Sequence, residues 1–147
     1  MKEKLMQIAR TAGSFFSASS LSRIDRKEGH AHFVTNIDRE VEEYLQQAQL
    51  SLVPGSGVIG EEKENGALSD VPTWIVDPVG GTTNLIHDYR CSAVSIALFE
   101  NRRPVAGLIW QPYMQEMFYA EAGRGASMNG KPIHVSSEKP VATIEFE

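Results

Sequence analysis

The stretch that decides the fold of this chain is residues 74–84, which read Trp-Ile-Val-Asp-Pro-Val-Gly-Gly-Thr-Thr-Asn. The apolar residues Trp74 to Val76 predict a strand that brings the carboxylate of Asp77 to its end. A proline then ends the strand. Two glycines and two threonines predict a turn into a helix, whose outward backbone N–H groups suit a phosphate. Because carboxylates bind hard cations, Asp77 also suits Mg²⁺ here, although a plain strand, turn and strand with Asp77 as a turn cap is the alternative.

The same stretch resembles the metal-binding signature of the inositol monophosphatase family, a group of Mg²⁺-dependent, lithium-sensitive phosphatases. The usual form of that signature is Asp-Pro-(Ile/Leu)-Asp-Gly-Thr-x-Asn. The positions that match it are Asp77, Pro78, Gly81, Thr82 and Asn84, with Val79 as a mild variant. Gly80 departs from the signature, because the family carries a second metal-binding aspartate at this position.

Two further blocks match the family upstream, in the expected order. Residues 34–38, Val-Thr-Asn-Ile-Asp, resemble the Val-Thr-x-x-Asp segment at the start of its second helix. Residues 60–62, Gly-Glu-Glu, resemble the Gly-Glu-Glu that ends a strand beside the metals. With three blocks in order, and similarity from the first helix to about Val135, the chain is identified as a member of this family.

Spacing along the chain predicts an α+β fold with two N-terminal helices on a largely antiparallel sheet. Helices are predicted over residues 3–21 and 36–50, the second one started by a capping box of Thr35 and Asp38. Residues 22–33 predict a mobile loop or a short hairpin. The apolar residues of 92–99 alternate with small ones, and the small face is expected to carry closely packed helices. This layout resembles the first domain of the layered αβαβα fold of the family.

Composition limits the function classes. The net charge is −5 and the 14 basic residues are scattered, which excludes a nucleic-acid surface. The N-terminal residues have the spacing of an amphipathic helix, so we expect neither a signal peptide nor a membrane span. The single cysteine, Cys91, cannot form an internal disulfide and is expected to be a buried thiol. A reducing cytoplasm is the expected location.

The resemblance implies a role for each site residue. Mg²⁺ would be held by Glu61, Asp77 and the backbone carbonyl of Val79. Glu61 and the hydroxyl of Thr82 would orient the attacking water, and the N–H groups of Gly81 and Thr82 would bind phosphate oxygens. The weaker candidates are Asp38, for a further metal through water, and Lys27, near the water network.

The resemblance also implies a small phosphate ester, such as inositol monophosphate, as the substrate. Two features predict impaired turnover in this chain. Gly80 offers no side-chain oxygen to a second metal, and residues 1–147 are expected to form one domain without the family's second domain, which carries a further metal-binding aspartate. A non-catalytic metal- and phosphate-binding relative, or a structural partner, is therefore the alternative. We also expect a homodimer or other self-association, through the apolar face that a second domain would cover.

Overall fold

A computed structural model describes residues 1–26, 33–60 and 70–137 of the chain. The helices are α1 (Lys2–Gly13), α2 (Asn36–Leu52) and the short α3 (Thr82–Ile86). The strands are β1 (Ile24–Arg26), β2 (Phe33–Thr35), β3 (Gly57–Gly60), β4 (Thr73–Gly80), β5 (Ala93–Glu100), β6 (Arg103–Gln111), β7 (Glu116–Glu121), β8 (Gly125–Met128) and β9 (Lys131–Ile133). This mixture of helices and strands confirms the predicted α+β class.

The first helix is shorter than predicted, because it ends at Gly13 rather than near residue 21. Gly13 packs under the indole of Trp110, and a Cβ at this position would lie 2.5 Å from Nε1 of that ring. The close approach of β6 therefore requires glycine here, and glycine is a weak helix former. A separate turn of 3₁₀ helix follows at Ala18–Ser20.

The second helix confirms its prediction at both ends to within a few residues. The hydroxyl of Thr35 accepts the backbone N–H of Asp38, and the carboxylate of Asp38 accepts the backbone N–H of Thr35, which is a complete capping box. Its apolar side chains Ile37, Val41 and Leu45 are fully buried. Helix α2 is thus fixed at its start by hydrogen bonds and along its length by the core.

Seven strands form one sheet in the order β3-β4-β5-β6-β7-β8-β9. Among the strand pairs of this sheet, β3 and β4 run parallel and all the others run antiparallel, so the largely antiparallel sheet is confirmed. Strands β1 and β2 pair separately and antiparallel. Of the two alternatives for residues 22–33, this pairing favours the hairpin.

The helices cover the opposite face of the sheet from the one predicted. Val94, Ile96 and Leu98 of β5 are buried in one core with the apolar sides of α1 and α2. The small residues between them, such as Ala97, lie on the other face and are only half-buried. Large side chains fill the space between a helix and a sheet better than small ones, and alternation alone cannot show which face a helix covers.

The second face of the sheet, here called the open face, is apolar and accessible. Cross-strand register places Ala97, Gly107, Ala120 and Ala126 in one row across β5 to β8. In the next row Ile109 lies opposite Phe118, and Ile109 is 45% exposed. A Cβ on Gly107 would meet no atom within 4 Å. The open face is therefore a shallow trough of small residues beside a ridge of large ones.

Two other predictions concern the whole molecule. None of the helices in the described part of the chain is long and apolar enough to cross a membrane. Cys91 is exposed, not buried, because it precedes β5 and lies in the connection 87–92 after α3 rather than in the strand.

Candidate phosphate and metal site

The candidate site begins at an irregularity at the end of β4. Asp77 pairs with Ser95 and Gly80 pairs with Ala93, so two residues of β4 lie opposite the single residue Val94 of β5. This is a β-bulge. In a regular strand positions 77 and 80 would point to opposite faces, whereas the bulge turns both toward the open face.

Gly80 consequently lies directly beside the carboxylate of Asp77. A Cβ at position 80 would lie 3.0 Å from Oδ2 of Asp77 and 3.4 Å from the carbonyl oxygen of Ala93. The backbone of Gly80 has no positive φ, so it could carry a side chain. An aspartate here would therefore point its carboxylate to the same place as Asp77, after a small shift of the Asp77 side chain.

Gly81 forms the turn that follows. Its φ of 88° and ψ of 46° lie in the left-handed region, and it caps the N-terminus of α3. The hydroxyl of Ser92 donates to its carbonyl oxygen at 3.0 Å, and the side-chain amide of Asn84 donates to the carbonyl oxygen of Cys91 at 2.7 Å. A Cβ at position 81 would lie 3.0 Å from that same Cys91 oxygen, so the turn is fixed in shape and requires glycine.

The hydroxyl of Thr82 connects this turn to helix α2. Its oxygen lies 3.1 Å from the backbone carbonyl oxygen of Val79 and 2.9 Å from Oδ1 of Asp38. Both neighbours accept hydrogen bonds, so the single hydroxyl proton has two acceptors. Donation to either one leaves the lone pairs of Thr82 able to accept a hydrogen bond from a water molecule.

Asp38 is 5% exposed and is held by Thr35 as well as by Thr82. The sequence singled out Asp38 and Thr82 separately, but not the hydrogen bond between them. They are 44 residues apart, and no spacing pattern reports a contact between a helix start and a distant turn. The matching of both residues to blocks of one family was the only available signal.

Two predicted site residues, Glu61 and Lys27, lie outside the described residues. The strand before Glu61 is described: Gly60 at the end of β3 pairs in parallel with Val76, the residue before Asp77. Glu42 of α2 packs against Gly60, where a side chain would collide with its carboxylate. Sequence analysis missed this contact, in which the Glu42 side chain of α2 covers the end of β3.

The end of β4 offers two oxygen donors of the kind that hard cations prefer. Asp77 provides a carboxylate and Val79 a backbone carbonyl, and oxygen donors of this kind suit Mg²⁺. Gly80 adds no side-chain oxygen, so a second cation would find fewer ligands. Within the described ranges, no group of three or more His, Cys, Asp or Glu side chains could hold a metal by itself.

Comparison with known proteins gives one consistent result. The model of the inositol monophosphatase family matches residues 2–145. Inositol monophosphatase 2 of Solanum lycopersicum is 41% identical over 116 residues, which cover 76% of this chain and 44% of that protein. The extragenic suppressor protein suhB of Bartonella henselae is 33% identical with a TM-score of 0.83, over 93% of this chain and 55% of that one.

An inositol monophosphatase structure from Thermotoga maritima gives a TM-score of 0.82 at 30% identity, over 89% of this chain and 52% of that one. The present chain thus spans about half the length of the proteins that it matches.

Proposed function

The chain belongs to the inositol monophosphatase family, and from that premise we propose that it forms the metal- and phosphate-binding part of a Mg²⁺-dependent phosphomonoesterase. The substrate would be inositol monophosphate or a similar small phosphate ester. The observation that carries the proposal is the linkage of Thr82 to Asp38 and Val79 within the turn that follows Asp77. The curated relatives are named inositol monophosphatases, which supports this assignment.

In this proposal each residue has a defined task. Asp77, the Val79 carbonyl and Glu61 would hold the cation, which when bound supplies charge neutralisation for phosphate oxygens and a more acidic water. The N–H groups of Gly81 and Thr82 would bind phosphate oxygens. Thr82 would donate its hydroxyl hydrogen to Asp38, and its lone pairs would accept a hydrogen bond from the attacking water and so orient the water oxygen toward phosphorus. Lys27 would act only within the surrounding water network.

We expect slow turnover at this site. Gly80 offers no side-chain oxygen to a second cation, which would stabilise the leaving oxygen. The lack of a side chain at position 80, directly beside Asp77, favours a second candidate function, a non-catalytic relative that binds one Mg²⁺ and a phosphate weakly.

Calorimetric titration tests this proposal. We expect one weak Mg²⁺ site and binding of inorganic phosphate that depends on Mg²⁺, because Asp77 and the Val79 carbonyl provide ligands for one cation only. Two tight Mg²⁺ sites would contradict the role given to Gly80. Phosphate binding that is unaffected by Mg²⁺ would contradict the metal-bridged site. Turnover of a phosphate ester at an ordinary enzymatic rate would contradict the expected impairment.

We also propose that the open face joins two copies of this chain. A twofold axis parallel to the rows would place the ridge of Ile109 and Phe118 of one copy over the trough around Gly107 of the other. Glycine inside a strand often marks the close approach of another chain, and the space above Gly107 is empty. The face measures roughly 25 by 20 Å from strand spacing and rise, or about 1,000 Å² for two copies, which predicts a weak dimer.

Substituting leucine for Gly107 should lower the dimer fraction in sedimentation at several concentrations, because the added side chain fills the trough. Replacing Ile109 with serine should also lower it, by removing the ridge. Gln47→Leu, on the exposed side of α2, is the matched control and should have no effect. Non-specific aggregation through apolar surface would instead increase in Gly107→Leu, and that outcome would contradict the ridge-and-trough interface.

Finally, we propose a cytoplasmic location. The chain has one cysteine, Cys91, and its thiol is free and exposed. An accessible unpaired thiol is better tolerated in a reducing compartment.

A further inference from the structure

The carboxylate of Asp38 belongs both to the cap of helix α2 and to the candidate site. Thr35 ends β2 and caps α2, and its backbone N–H and its hydroxyl donate to Oδ2 of Asp38 at 2.8 and 2.6 Å. The other oxygen, Oδ1, accepts the hydroxyl of Thr82 at 2.9 Å. The two oxygens of Asp38 therefore face different parts of the fold.

Burial makes this arrangement sensitive to Thr35. Thr35 is fully buried and Asp38 is 5% exposed, so the carboxylate depends on hydrogen bonds from the protein. Of the three hydrogen bonds that side chains or backbone groups of the described residues donate to it through these contacts, two come from Thr35. Without the Thr35 hydroxyl the carboxylate can rotate about its Cβ–Cγ bond, and Oδ1 then leaves the Thr82 hydroxyl.

We propose that Thr35 is a positioning residue for the hydroxyl of Thr82. This inference rests on the proposed function, in which Thr82 orients the attacking water. As long as Thr35 holds Asp38 in place, the Thr82 proton has an acceptor other than the carbonyl of Val79. That carbonyl oxygen then stays available to a cation, and the lone pairs of Thr82 stay directed to water.

The competing explanation is that Thr35 only caps the helix. A cap affects the stability of α2 but leaves the side chain of Thr82 in its rotamer. The two explanations predict different behaviour of the Thr82 side-chain rotamer. NMR reports this rotamer through the three-bond couplings from the Thr82 methyl carbon to its backbone nitrogen and carbonyl carbon. The measurement uses the ligand-free chain, so it requires neither turnover nor a bound metal.

Thr35→Val removes the hydroxyl and keeps the shape and the backbone N–H. We expect the Thr82 couplings to move from the values of one rotamer to those of an average over at least two. Thr35→Ser, which restores the hydroxyl, should return them to the wild-type values. Asp38→Ala should give the averaged values as well, because it removes the acceptor itself. If Thr35→Val does not fold, Thr35→Gly serves instead, since glycine is tolerated at a helix cap.

Ile96→Val is the matched control, because it weakens the buried core at a position of β5 whose strand partners are Val76 and Leu108, not residues of the cap or the turn. It should leave the Thr82 couplings unchanged. Wild-type couplings in Thr35→Val would overturn the inference, and so would wild-type couplings in Asp38→Ala or averaged ones in Thr35→Ser.

Titration of inorganic phosphate with Mg²⁺ separates this inference from the proposed function. If wild-type chain binds no phosphate while the couplings respond as expected, the function fails and the positioning role of Thr35 stands. If phosphate binds but Thr35→Val retains the wild-type couplings, only the positioning role fails.

Discussion

Replacement of Asp77 by asparagine should remove nearly all Mg²⁺ binding by this chain, with affinity at least about 100-fold lower. This corresponds to about 2.8 kcal/mol, at 1.4 kcal/mol for each factor of ten. Asparagine keeps the shape and one oxygen of the side chain but loses the negative charge, on which binding of a hard dication depends. Calorimetric titration of both proteins with MgCl₂ measures the difference.

Asp88→Asn is the matched control for this experiment. It removes one negative charge from an exposed position just beyond α3, with the same change in shape. We expect its Mg²⁺ affinity to stay within about twofold of wild type, because exposed charges are screened. Equal losses in the two variants would indicate a general charge effect, and an unchanged affinity in Asp77→Asn would exclude Asp77 as a ligand.

Introduction of aspartate at Gly80 should have opposite effects on stability with and without Mg²⁺. Without the cation, the new carboxylate lies next to that of Asp77, and two such charges at about 4 Å repel by up to roughly 4 kcal/mol at an effective dielectric constant of 20. Because position 80 is half-buried, we expect a loss of about 1–2 kcal/mol in the free energy of unfolding. With Mg²⁺, the pair should bind a second cation and gain stability.

Urea unfolding with and without MgCl₂ measures both effects. Gly80→Asn is the control, because it adds the same volume without charge and should be insensitive to Mg²⁺. Stability of Gly80→Asp that does not respond to Mg²⁺ would contradict a second cation site at this position.

Local patterns in the sequence were sufficient to predict much of the fold. The capping box of Thr35 and Asp38 could be predicted because both partners lie within one helical turn. The strand that carries Asp77 could be predicted from its apolar run, but the prediction that Pro78 ends it was wrong, because β4 continues through a bulge to Gly80. In each case the deciding interaction connects neighbours in the chain.

The features that were missed depend on contacts between distant segments. Helix α1 ends at Gly13 because the indole of Trp110 approaches from β6. The bulge that turns Gly80 toward Asp77 depends on the register with β5, and the bond from Thr82 to Asp38 joins two separate elements. Alternation in β5 correctly gave two faces, but only tertiary packing decides which one the helices cover.

The lengths of the connections in the sheet have a consequence for how such a protein can diversify. The turns between β5 and β9 are tight, and several of their residues, among them Asn101, Arg102 and Asn129, have positive φ, so an inserted residue would break the turn geometry. Connection 81–92, from β4 to β5, is longer. It begins with the fixed turn at Gly81 and helix α3, whereas residues 87–91, which follow the helix, are exposed. Exposed connections tolerate insertions better than tight turns, so insertions are best accommodated just after α3, beside the candidate site, where new substrate preferences can arise while the rest of the sheet stays unchanged.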